Sequence, residues 1–365
     1  MNAERRRTSQ PSTAGRWTRR RFALALPLLG ALHHGAQGHA WAGEPSAPLL
    51  ERASRPLMGT RVDIVAAAAH HRDAPALRSA MQQAFVEMER LEALMSRYRA
   101  DSDVARLAAA AGRHPVVVAP EVMAVLHSAQ RLHRDSGGAF DATVGALRAW
   151  RFEPGSQAVP QAADIAHALR LVDMRHLHLD ARAGTAYLAR PGMALDLGGV
   201  AKLPILQAGL RVLESAGVGD ALINGGGDVL AIGQMPQGRP WRVGVRDPLA
   251  PAQLLGVLAL QGRGVVASSG DYERGFVRHG RRLHHVLNPR TGWPTEGVPG
   301  VALLARDVEA VNGWGTALMV QGPSAAPAWS ARHPGIEALV ASADGTRWTS
   351  PGMAAALQPV PVSRG

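Results

Sequence analysis

The chain has 365 residues, 46% hydrophobic and 19% charged, which allows one large domain or two modest ones with a sizeable core and argues against wholesale disorder. The formal charge of +11 invites a nucleic-acid partner, but residues 1–42 hold seven Arg against Glu4 alone. More than half of the surplus therefore sits at the N-terminus, and no basic run with interleaved aromatics follows it, so a nucleic-acid partner is not expected. The absence of Cys excludes disulfides, thiolate catalysis and thiolate metal sites.

In chain order, Arg19-Arg20-Arg21-Phe22 leads into an apolar stretch over 22–32, and Ala40-Trp41-Ala42 supplies small residues at the spacing a signal peptidase reads. The arginine pair with Phe22 is the twin-arginine variant, which predicts cleavage after Ala42, a periplasmic location and no stable membrane span in the mature protein. The apolar run is too short to span a bilayer, which weighs against an uncleaved anchor. Residues 43–56 are rich in Pro and Ala and read as a tether, 57–350 as the functional domain, and 351–365 as a tail.

Arg61–Ala69 reads as a strand. Leu77, Met81, Phe85, Met88, Leu91, Leu94 and Met95 fall at helical spacing and predict a long amphipathic helix over Ala74–Met95. Two further helices are expected at Asp101–Ala110 and Pro120–Asp135, and a loop at 154–160. The second half is richer in strands: Leu177–Leu179, Thr185–Leu188, Met193–Leu197, Ala221–Ile223, Val229–Ile232, Trp241–Val245, Leu255–Leu260, Gly264–Ser268, Phe276–Arg278, Leu283–Leu287 and Val301–Ala305. Helices are expected at Pro204–Ala216 and Asn312–Val320. Helices on antiparallel-rich sheets predict an α+β fold with two intertwined lobes.

Five segments carry candidate chemistry. Asp196-Leu197-Gly198-Gly199-Val200-Ala201-Lys202 reads as a strand end and glycine turn before a helix opened by Pro204, a place where backbone N–H groups and a helix N-terminus favour an anion such as pyrophosphate. Lys202 is the only Lys beside 39 Arg, a hint that a compact point charge is wanted there. Taken alone, the segment is equally an ordinary strand–helix corner. Asn224–Asp228 by itself fits a plain hairpin turn. Ser268–Glu273 places two hydroxyls and two carboxylates on one turn, either lining a cleft or forming a solvated loop. His284 and His285 fall in an expected strand and so face opposite sides; one can reach a cleft as general base, or both belong to the surface. Asn312 and Thr316 stand four apart, so their oxygens can share a helical face and hold Mg²⁺, unless Asn312 is simply a helix cap.

Together and in this order, these segments resemble the ApbE family of FAD:protein FMN transferases. The resemblance also takes in Met58-Gly59-Thr60, Ser96-Arg97-Tyr98 ahead of Ser102, Gly138–Gly145, and Trp241–Pro248, and runs from about Pro56 to Gly322. It implies a flavin cleft between the two lobes, with Met58, Tyr98, Ala139, Phe140, Asp141, Asp196, Lys202 and His285 holding FAD. His285, Lys202 and Asp271 are the expected catalytic residues, and the resemblance implies Mg²⁺ held by the Gly199 carbonyl with Asn312 and Thr316. The implied reaction moves FMN from FAD to a Thr or Ser hydroxyl of a flavin-bearing electron-transfer acceptor protein and releases AMP. The chain departs from the family pattern twice: Asn312 stands in place of Asp, and Lys202-Leu203-Pro204 in place of Lys-Gly-Tyr. The first removes a charged ligand, so a weakened metal site is expected and Asn312→Asp is expected to strengthen Mg²⁺ binding. An FAD carrier with little transfer activity and an FAD pyrophosphatase are the competing readings.

Overall fold

The computed structural model describes residues 49–360, apart from 69–72, 154 and 156. The expected signal segment and the first part of the tether lie outside the described residues. A tight turn joins β1 (Leu49–Leu57) to β2 (Thr60–Ala68). After them come α1 (Ala74–Met95), α2 (Asp103–Ala110), β3 (Val116–Val117), α3 (Pro120–Asp135), α4 (Ala162–Leu169), β4 (Leu177–Asp180) and β5 (Thr185–Leu188). Next, α5 (Gly198–Ser215) leads to the pair β6 (Ala221–Gly225) and β7 (Asp228–Ile232). The hairpin β8 (Trp241–Arg246) and β9 (Leu254–Leu260) precedes β10 (Gly264–Gly270), and the hairpin β11 (Gly275–Arg278) and β12 (Arg281–His284) follows it. The chain ends through β13 (Gly300–Ala305), α6 (Val308–Val311), α7 (Trp314–Gln321), α8 (Ala326–Arg332), β14 (Glu337–Ala341), β15 (Arg347–Thr349) and α9 (Pro351–Ala356).

Eight strands form one antiparallel sheet in the order β1-β2-β6-β7-β10-β13-β14-β15, which is also their order along the chain. The remaining elements are excursions from this meander. β3, β5 and β4 make a small sheet of their own.

Side-chain alternation explains the two layers around the large sheet. Val62, Ile64 and Ala66 of β2, Ile223 of β6 and Leu303 of β13 bury one face with α1, α3 and α5. Val229, Ala231, Val266 and Leu339 bury the other face under Trp241, Val243, Leu258 and Leu260 of the β8–β9 hairpin. Trp241 Nε1 donates to the Ile232 carbonyl at 3.0 Å, so its one polar atom is satisfied inside that layer. β7 is buried at every position because both layers cover it. This is the α+β class that the sequence predicts, with α1 over the predicted range.

Several expectations are corrected. Residues 49–56, read as tether, belong to β1, which pairs with β2 over its whole length. No strand forms over Met193–Leu197, where the Asp196 N–H goes to the Ala142 carbonyl rather than to a sheet neighbour. α5 begins at Gly198, and Pro204 lies inside it rather than at its first position. β12 ends at His284, leaving His285 beyond the strand. The helix expected over Asn312–Val320 is broken, with Asn312 capping α6 and Gly313, at φ +75°, opening α7. Pro351–Ala356 of the expected tail is helical, and Ser350 caps it.

Candidate active site

The glycine-rich start of α5 organises the site. Asp196 stands two residues ahead of it; its Oδ1 accepts the Gly198 N–H at 2.9 Å and its Oδ2 takes Arg97 Nη1 at 2.7 Å. The backbone N–H of Asp196 donates to the Ala142 carbonyl at 2.7 Å, laying the approach to α5 along the turn of helix at 142–146. A Cβ on Gly199 would stand 3.0 Å from the Phe140 ring and 3.2 Å from Thr316 Oγ1, so a side chain there would require these groups to shift away from the turn.

One turn further along α5, Lys202 Nζ lies 3.1 Å from Asp228 Oδ2. Asp228 Oδ1 accepts the Ser268 N–H at 2.8 Å, and Asn224 Oδ1 accepts the Gly227 N–H at 3.0 Å. The segment that fitted a plain hairpin turn therefore carries the counter-ion of the only Lys. Ser269 abuts Gly315 of α7, where a Cβ would collide with its Oγ. Asn312 is 4% exposed; its Nδ2 donates to the Val200 carbonyl at 2.9 Å, and its Oδ1 has no partner among the described residues. The Gly199 carbonyl is 3.3 Å from the position a Cβ would take on Gly313. Gly199 thus lies close to Thr316 and to Gly313, the residue after Asn312, and Asn312 stands outside the helix that carries Thr316. Among the described residues, no group of three or more His, Cys, Asp or Glu side chains could hold a metal.

The remaining predicted residues are distributed as follows. Tyr98 is 65% exposed, with the Arg97 guanidinium 5.0 Å from its ring centroid and its hydroxyl donating to Glu153 Oε1 at 3.4 Å. Met58 and Gly59, at φ +54° and +70°, form the two-residue turn between β1 and β2. Positive φ at both positions matches the twist of the hairpin, and Met58 holds this strained conformation while its N–H donates to Glu92 Oε1 at 2.8 Å. Ala139 and Phe140 are buried. Asp141 is buried too, and its carboxylate accepts from the Thr143 N–H, the Thr143 hydroxyl and the Met174 N–H. Those contacts make it a cap on the turn at 142–146 and tie that turn to Met174. Arg97 and Asp228 join the site from within the Ser96–Tyr98 and Asn224–Asp228 motifs, without being predicted site residues themselves.

The β11–β12 hairpin and the residues flanking it supply the titratable groups. Asp271 Oδ1 lies 3.1 Å from Arg282 Nε, and burial raises the Asp271 carboxyl above the ordinary range against the pull of that arginine. Burial likewise pushes the Tyr272 hydroxyl up to about 12. His284 is buried, with Nε2 2.9 Å from the Thr295 carbonyl oxygen; burial lowers its pKa. Half-buried His285 has Nδ1 3.3 Å from the Arg274 carbonyl oxygen, and burial, helped by the Arg274 charge, lowers it to about 3. The Asp196 carboxylate is close enough to act on His285 in the opposite sense, which places the hairpin beside the start of α5.

These histidines set a pH dependence. The unfolded imidazoles take up protons near pH 6.5, whereas the folded ones resist. The unfolded state therefore binds more protons below that pH, and stability falls as pH drops from about 6.5. His285→Gln is expected to flatten the fall in melting temperature between pH 7 and 5 of the ligand-free protein, with little change at pH 8. Parallel curves for the two proteins would refute this account.

Two open depressions of about 430 and 350 Å³ lie toward the C-terminal end of α5, lined by Glu214, Gly217 and Arg263 in one case and by Glu87, Arg211 and Ser215 in the other. Neither contains a residue of the site.

Fold and site together define a mixed α/β protein with a glycine-opened helix start suited to an anionic ligand. The chain belongs to the ApbE family, whose model matches residues 58–340. It is 36% identical over 241 residues to an FAD:protein FMN transferase of Klebsiella pneumoniae, covering 65% of this chain and 74% of that one. It is 33% identical over 285 residues to one of Treponema pallidum, covering 73% and 78%. Among solved structures, the ApbE protein of Thermotoga maritima superposes with a TM-score of 0.75 at 27% identity, over 85% of this chain and 100% of that one. The flavin transferase ApbE of Vibrio cholerae gives 0.72 at 26% identity, over 85% and 100%.

Proposed function

We propose that the chain transfers the FMN moiety of FAD to a Thr or Ser hydroxyl of an acceptor protein. The acceptor oxygen forms a bond to the FMN phosphorus, the bond from that phosphorus to the bridging oxygen breaks, and AMP leaves with that oxygen. The observation that carries this reading is Lys202, held against Asp228 on the glycine-opened α5, in a chain whose relatives bear that activity in their names. The positive end of α5 and the Lys202 ammonium favour a pyrophosphate. The exposed Tyr98 ring offers a flat surface for the flavin. His285, neutral across the physiological range, and Asp271, raised toward it, are the two groups offered for the proton of the attacking hydroxyl.

The donor set also fits Mg²⁺. Oxygen ligands suit a hard dication, and Asn312 Oδ1, buried and unpartnered among the described residues, the Gly199 carbonyl and Thr316 Oγ1 would supply them. When bound there, Mg²⁺ would polarise the pyrophosphate as a Lewis acid. The protein contributes no negative charge to this set, and that observation favours the second reading, an FAD carrier with little transfer activity.

Incubation with FAD, Mg²⁺ and an electron-transfer acceptor domain, followed by mass analysis, separates the readings. Covalent FMN on the acceptor with release of AMP supports the transferase. Binding of FAD without transfer supports the carrier, and free FMN plus AMP a pyrophosphatase.

The acceptor would be an exported flavin-bearing electron-transfer protein, reached in the periplasm after twin-arginine export. Replacing Arg19, Arg20 and Arg21 with Lys is expected to leave uncleaved precursor in the cytoplasm on fractionation; normal export of that variant refutes the route.

A further inference from the structure

Pro204 and Asn312, the two departures from the family pattern, meet at a single atom. Pro204 is the seventh residue of α5. Any other residue there would donate its N–H to the Val200 carbonyl; proline has none, and its ring crowds that same carbonyl. The donor that reaches the Val200 carbonyl is Asn312 Nδ2, at 2.9 Å, from a side chain almost wholly buried. A carboxylate at 312 would have no hydrogen to offer and would set an acceptor against an acceptor. With Nδ2 committed to Val200, Oδ1 is left buried and unpartnered among the described residues, while the next residue, Gly313, packs toward the Gly199 carbonyl, and Gly199 in turn faces Thr316 Oγ1 of α7.

We propose that Pro204 and Asn312 are a matched pair. The Asn312 amide replaces the helical donor that Pro204 removes, and the same hydrogen bond fixes the amide so that Oδ1 is the oxygen this chain offers a cation beside Gly199 and Thr316. The first half concerns the ligand-free protein; the second rests on the transferase reading. Asn312 is on this account a positioning residue for the start of α5, and a charge restored at 312 alone does not improve the site. That reverses the expectation drawn from the sequence.

A double-mutant cycle tests the pair: wild type, Asn312→Asp, Pro204→Ala and the double variant, each as the full chain. In ligand-free thermal unfolding, Asn312→Asp is expected to lower the melting temperature by about 3–8 °C, the shift that follows from leaving a buried carbonyl unpaired. In the Pro204→Ala background the same change should cost less than half as much, because the new alanine brings a backbone N–H that serves the Val200 carbonyl. If Asn312→Asp does not fold, recovery of a folded double variant carries the result. Equal losses in both backgrounds, or no recovery, overturn the pairing. Thermal stabilisation by Mg²⁺ in the presence of FAD supplies the second readout. The double variant is expected to bind Mg²⁺ about tenfold more tightly than wild type, as a gained charged ligand would produce, and Asn312→Asp alone is not. A well-folded Asn312→Asp variant with the full gain overturns the proposal. No Mg²⁺ response in any of the four overturns its cation half, while the ligand-free cycle still decides the helix half.

Discussion

Lys202→Ala is expected to lower the rate of FMN transfer by about 10²–10³-fold, the loss that follows removal of one preorganised charge facing a developing anion. The side chain leaves the first turns of α5 and is held 3.1 Å from Asp228, whose other oxygen is occupied by the Ser268 N–H. Its position is thus fixed by the β6–β7 turn before any ligand arrives. The Asp228→Asn variant separates charge from placement. It keeps the ammonium but removes the counter-ion, so Lys202 should still bind pyrophosphate while its position loosens, and transfer should fall less than in Lys202→Ala. Steady-state rates and FAD affinities for the two variants provide the check. Transfer by Lys202→Ala within threefold of wild type would remove Lys202 from the chemistry.

How much of this was legible in the sequence depended on what each signal measures. α1 was legible because a periodic apolar stripe and a buried helical face are the same physical fact. β1 was hidden because it is an edge strand: its charged Glu51 and Arg55 pair with Arg78 and Glu89 of α1, Arg52 is exposed, and Pro56 is tolerated where no further strand needs its N–H, so the composition resembles a tether. Met193–Leu197 misled in the opposite direction, since an apolar run reports burial and says nothing about a pairing partner. Pro204 was read as a helix opener by its usual preference; Gly198 and Gly199 had already opened the helix, and Asn312, 108 positions away, supplies the missing donor at the Val200 carbonyl. Motif order located the site, and local rules named its hydroxyls and its lysine. The partners Asp228 and Arg97 became visible only once folding had set them against Lys202 and Asp196.

Asp141→Ala is expected to destabilise the protein by about 3 kcal/mol, the scale for removing a buried, charged hydrogen-bond acceptor with several donors. The carboxylate takes the Thr143 N–H at 2.8 Å, the Thr143 hydroxyl and the Met174 N–H at 3.1 Å, and His133 Nδ1 lies 3.5 Å from Oδ2. Its removal leaves these buried donors unpaired and frees the turn at 142–146. That turn carries the Ala142 carbonyl to which Asp196 is tied, and Gly145 packs directly against the Leu195 backbone. Loosening should therefore pass along 194–196 to the start of α5, so FAD affinity should fall together with stability. Asp141→Asn retains one acceptor oxygen and should lose about half as much. Urea unfolding of the ligand-free proteins beside FAD titrations distinguishes this from direct contact. If Asp141→Ala keeps its unfolding midpoint and loses FAD binding, the carboxylate touches the flavin nucleotide; if midpoint and affinity fall together, and Asp141→Asn recovers part of both, it acts through the turn it caps.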